Sequence, residues 1–158
     1  MERSVSTYQD AQLILKLYEL RRDEKLRAAR EWFVQRFFPA KAEDVQAVMS
    51  SAGSDNISFR MVTSYWDMAA SLVNHGAIDE AMFNESAGEM IFVWAKIEPF
   101  VGELRTMFNN PEAFHNLESL VKRVPNIDQK IANLREIMKR FSALRAEREA
   151  KAAAAGQS

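Results

Sequence analysis

Apolar residues recur along this chain at the spacing of one helix face. Leu13, Ile14, Leu17 and Leu20 fall on a single stripe, with Ser6 or Thr7 placed to cap the helix that carries them. Leu26, Ala29, Trp32, Phe33 and Phe37 form a wide aromatic stripe over 24–38, opposed by Arg27, Arg30, Glu31 and Arg36 and stopped by Pro39. Arg21-Arg22-Asp23 between them either ends one helix and caps the next or lies inside a continuous one. A short helix over 41–49 follows, with Val45, Val48 and Met49 inward, and then the small polar run Ser50–Asn56, which reads as a loop.

The middle of the chain is its most apolar part. Residues 58–75 read as a helix containing Phe59, Val62, Tyr65, Trp66, Ala69, Ala70 and Val73, closed by Gly76. Asp79 is placed to cap a short helix over 80–85. A second apolar helix starts near Gly88, meets Pro99, and keeps helical spacing to Phe108, either kinked or broken at the proline. Asn110-Pro111 reads as cap and first turn of a helix over 111–124, interrupted by Pro125. Beyond it, Ile127, Ile131, Leu134, Met138 and Phe141 step by 4, 3, 4 and 3, the seam of a helix lying along another, widened by Ile137 and Leu144. No segment alternates with a period of two. The pattern predicts an all-α, single-domain bundle of about six or seven helices over 1–150, ending in a long helix, with a frayed tail over 151–158. The helices over 58–75 and 89–108 are expected at its centre.

Composition narrows the chemistry. The 158 residues include no cysteine, which excludes a disulfide framework, a thiolate nucleophile and cysteine-ligated metals. The most apolar run, Met90–Ala95, is far short of the roughly 20 residues a membrane span needs. The start of the chain lacks the apolar core of a signal peptide, so a cytoplasmic, membrane-free protein is expected. Net charge is −1, distributed as +2 over 1–38, −6 over 39–100 and +3 over 101–158. That asymmetry suits docking between elements and gives no concentrated basic face for nucleic acid. The basic side of the last helix (Arg135, Lys139, Arg140, Arg145, Arg148, Lys151) is diluted by Glu136, Glu147 and Glu149 and reads as a solvated surface.

Candidate sites are few. Glu112-x-x-His115 has the spacing of half a di-metal motif, but the other histidine, His75, has Leu72 three residues before it, so no metal or other cofactor is expected. No nucleophile elbow, phosphate loop, dinucleotide fingerprint or His-Glu-x-x-His occurs. Tyr65, Trp66, His75, Glu89 and Trp94 are the set that would line a ligand pocket between the two central helices, with Asp67, Asn74, Lys96 and Glu98 on the same helices. An aromatic stripe at this spacing equally describes a packed core. The first expectation is therefore a non-enzymatic interaction or regulatory module, with Ile127, Ile131, Leu134, Met138 and Phe141 as its contact seam and a protein partner or homodimer as its occupant. A small-molecule-binding protein or enzyme using the aromatic set is the alternative.

Two stretches, Ser64–Asp79 and Gly88–Phe100, carry a combined pattern. An aromatic and apolar helix is followed by Gly76, Ile78 and Asp79, then by a helix with Trp94, Ile97 and Pro99 ahead of Arg105. The chain resembles, over about residues 8–110, an uncharacterised group of small bacterial helical proteins of unknown function. The resemblance implies a bacterial, cytosolic, helical protein and no particular reaction.

Overall fold

Local capping chemistry sets most of the helix boundaries. In the computed structural model, which describes residues 5–156, the Thr7 side chain caps α1 (Tyr8–Arg21) by accepting from the Asp10 N–H, while Asp10 accepts from the Thr7 N–H in return. Asp23 Oδ1 accepts from the N–H groups of Lys25 and Leu26 at 3.0 and 3.2 Å, so α2 (Glu24–Gln35) is a separate helix. There follow α3 (Ala42–Ser50), α4 (Ser54–Asn74), α5 (Glu80–Ser86), α6 (Gly88–Ile97), α7 (Val101–Met107), α8 (His115–Arg123) and α9 (Ile127–Ala155). A 3₁₀ turn, Glu98–Phe100, stands between α6 and α7, so regular α-helix is interrupted at Pro99 while the backbone on either side stays in the helical region. Among the described residues there is no strand, and the protein is all-α. The helices outnumber the six or seven expected because the breaks at Asp23 and Pro99 both occur.

Two further boundaries depart from the sequence pattern. Helix α4 begins at Ser54, well inside the stretch expected to be loop, because Asn56 Nδ2 donates to the carbonyls of Met49 and Ser51 and closes the turn early. Residues 111–114 are turns, and α8 starts only at His115. Phe114 is in the left-handed region, φ 61°, which no helix accommodates.

The chain divides into two compact units, Met1–Val124 and Pro125–Ser158. In the first, α4 is the central element and packs against α2, α3, α6 and α8. Both of its sides are covered: Phe59, Val62, Tyr65, Trp66, Ala69, Ala70 and Val73 are all buried. The side-chain-poor Ala69 and Ala70 let neighbouring helices come close. Phe33 and Phe37 (ring centroids 4.9 Å apart) meet Phe59 at 6.3 and 5.3 Å and form an aromatic layer between α2 and α4. Gly76, φ 76°, supplies the left-handed residue that ends α4, with the Ala77 N–H bonded to Leu72 O. The second unit is the single helix α9. No helix among the described residues is long and apolar enough to cross a membrane.

One cap reaches across the fold. Asp10, 9% exposed, also accepts from the Asp79 N–H at 2.8 Å, so α1 is fastened to the start of α5 by the carboxylate that caps α1. Hydrogen bonds from the Thr7 side chain and backbone, and then from the Asp79 backbone, hold its pKa below the ordinary 3.8. A carboxylate with a depressed folded pKa stabilises above the unfolded value and loses that contribution as pH falls through the folded one. The Asp10→Asn variant should therefore melt below the wild type at pH 7, and the gap should close as acid melts are taken below pH 4. A gap of constant size across that range would mean the carboxylate charge contributes nothing.

Candidate functional site

Three places among the described residues are candidate sites: the polar cluster around Glu89, a groove beside the first half of α4, and the apolar stripe of α9.

The cluster contains part of the aromatic and polar set. Glu89, in the first turn of α6, receives Arg30 Nε at 2.8 Å and Trp66 Nε1 at 3.2 Å on Oε1, and Arg30 Nη2 at 2.6 Å on Oε2. This is a two-pronged guanidinium–carboxylate pair with an indole donor added. The hydrogen bonds to Glu89 raise the Arg30 pKa, against the opposing effect of burial. Arg30 Nη1 also donates to Arg21 O, and the Arg21 guanidinium lies 5.3 Å from the ring centroids of both Tyr18 and Trp66. Tyr65 packs edge-on against Trp66 at 5.0 Å and donates to Leu17 O at 2.7 Å; burial pushes its pKa up to about 12. Helices α1, α2, α4 and α6 are thus tied at one point. Both oxygens of Glu89 accept hydrogen bonds within the cluster.

The other two members lie elsewhere. His75 is the exposed residue after α4, its Nδ1 2.8 Å from Ser71 O. Trp94 is 2% exposed, but five residues beyond Glu89 it points about 140° away around α6. Tyr65 and Trp66 line a cavity of about 10 Å³ together with Ile14, Leu17 and Arg21, room for one water; His75, Glu89 and Trp94 do not line it. Glu112 and His115 are exposed and 3.9 Å apart. Among the described residues no three His, Cys, Asp or Glu side chains lie close enough to hold a metal ion.

Arg30 was read from the sequence only as one of the charged residues opposing the aromatic stripe of 24–38, since nothing near position 30 announces a partner 59 residues away. Lys96, expected among the polar residues of a pocket between the two central helices, instead serves the end of α2. It is 6% exposed, and its ammonium donates to the carbonyls of Phe33 (2.6 Å), Phe37 (2.8 Å) and Val34 (3.2 Å) at the end of α2.

The groove, of about 730 Å³, runs beside α4 between the end of α3 and the turn that precedes α8. Met49, Ile57, Met61, Phe108 and Phe114 supply its apolar lining; Arg60, Asp67 and Glu112 supply its charge. The left-handed Phe114 brings its ring edge-on to Phe59 at 6.5 Å, forming part of the groove floor. A bulky residue held in this region costs of order 1–3 kcal/mol and needs compensation nearby. Asp67 provides some: Oδ1 accepts from the Leu117 N–H at 2.9 Å and Oδ2 from Asn116 Nδ2 at 3.3 Å, so α4 supplies the first turn of α8 with the acceptor that Phe114 lacks.

The stripe of α9 is the third place. Ile131 is buried, Ile127, Leu134 and Met138 are half-buried, and Ile137, Phe141 and Leu144 are 44%, 63% and 49% exposed.

No curated protein and no solved structure matches the chain. A family match covers residues 6–124 and stops where the first unit ends. The chain belongs to the family described as Domain of unknown function (DUF4760).

Proposed function

We propose that the protein is a non-enzymatic interaction module that pairs with a second copy of itself through α9. The observation that carries this reading is the apolar stripe of a 29-residue helix, in which Ile137, Phe141 and Leu144 are each more than two-fifths exposed and Leu134 and Met138 are half-buried beside them. A helix of this length extends about 43 Å. Helices in proteins draw most of their stability from packing an apolar face, so a stripe this exposed calls for cover. The first unit supports the same reading from the other side: its most elaborate polar cluster is spent on holding helices together. Cyclic pairs are the commonest way for a chain to cover its own surface.

Sedimentation equilibrium of the full chain at micromolar concentration tests this. A dimer that becomes monomeric in Phe141→Glu, with an unchanged circular dichroism melt of the rest of the chain, is the expected result. A wild-type chain that stays monomeric overturns the proposal.

A further inference from the structure

Resting on that pairing, we infer that α9 of each copy lies in the groove beside α4 of the other, so that two copies exchange helices. Three observations carry this. The first is length. The groove follows α4 from Ile57 to Asp67, and the α9 stripe runs from Leu134 to Leu144; each is eleven residues of helix, about 15 Å from first to last. The second is surface character. Ile57 is 61% exposed at one end of the groove, Met61, Phe108 and Phe114 are half-buried along it, and Met49 and Met61 supply adaptable side chains of the kind that receive an amphipathic helix. The third is charge. Helix α9 carries seven Lys or Arg against four Asp or Glu, whereas the groove sets Asp67 and Glu112 against Arg60.

Pairing α9 with a second α9 fits less well. Continued past Phe141, the 4-3 seam reaches Arg145 and then Arg148, so a symmetric helix pair would have only about two apolar heptads before stacking arginines in its core. The groove asks for no more helix than the apolar stripe provides. Exchange of two such contacts closes on itself with two-fold symmetry, each copy giving one helix and receiving one.

The experiment uses three full-length chains in sedimentation equilibrium: wild type, a groove variant carrying Ile57→Lys and Ser64→Arg, and the helix variant Phe141→Glu. Ile57 and Ser64 are both exposed, so the groove variant folds without disturbing the core; its melt, followed by circular dichroism, checks this, and Ile57→Lys alone serves if the pair fails. Exchange predicts that each variant alone dimerises at least about tenfold more weakly than wild type. An equimolar mixture of the two recovers dimer, because the intact helix of one meets the intact groove of the other. A groove variant that dimerises as tightly as wild type, while the helix variant does not, overturns the exchange and leaves pairing through α9 in place. A monomeric wild type overturns both.

Discussion

Lys96→Met is expected to lower the melting temperature by about 10 °C. The ammonium of Lys96 stands at the C-terminal end of α2, where backbone carbonyls have no partner of their own, and it donates to three of them. It also lies 4.0 Å from the ring centroid of Phe38 and 4.9 Å from that of Phe92. Methionine keeps most of the stem and its packing but offers no donor. Each buried carbonyl left without one costs about 1–3 kcal/mol, and loss of a cation at a helix C-terminus costs up to ~2 kcal/mol more. Relief from burying a charge returns part of this. The net loss is about 3–4 kcal/mol, at ~2–4 °C per kcal/mol for a chain of this size. Thermal melts followed at 222 nm decide it. A variant melting within about 2 °C of wild type would mean that the carbonyls find water or other donors and that Lys96 is only tolerated in the core.

The contrast between Lys96 and the caps shows which parts of the fold were legible in the sequence. Thr7, Asp23, Asp79 and Gly76 act on backbone groups a few residues away, so their signals lie within one short window, and the structure places a helix end at each. The end of α2 and the start of α8 were misplaced because their terminating groups come from elsewhere in the chain. Lys96 draws in the carbonyls after residue 32 from 63 residues away, ending the helix at Gln35 rather than at Pro39. Asp67 caps α8 from 50 residues away, while the left-handed Phe114 separates Pro111 from the helix it was expected to open. The same divide runs through the candidate set. Trp66 and Glu89 do meet, each on the inward face of its helix. Trp94 satisfies the same apolar pattern as its neighbours but stands on another side of α6, and His75 lies at a helix end where no face is enforced. Arg30 was invisible as a partner, because an arginine opposite an apolar stripe reads as solvated until a carboxylate arrives from a distant helix. The groove was illegible for a further reason: its lining comes from three separated stretches, and its floor depends on one backbone angle.

The second large effect is expected at the Arg30–Glu89 pair, and its sign under double substitution tells what the pair is for. Arg30→Ala leaves the Glu89 carboxylate, 18% exposed, with only the Trp66 N–H, and should cost about 2–4 kcal/mol; the residual exposure keeps this below the full cost of stranding a buried charge. Glu89→Gln should cost less, because the amide oxygen still accepts one hydrogen bond from the indole or the guanidinium. Combining Arg30→Met with Glu89→Leu removes both charges and retains apolar bulk, so the double variant should be more stable than either Arg30→Met or Glu89→Leu alone, a coupling of at least ~1 kcal/mol. Urea melts of the four chains provide the cycle. A coupling near zero would mean that Arg30 and Glu89 each make their contribution independently, through Arg21 O and Trp66, and that the two-pronged contact is incidental. A positive coupling would identify the pair as the joint between α2, α4 and α6. The cluster around Trp66 would then act as a fastening that fixes the frame of helices, including the α4 that forms one side of the groove.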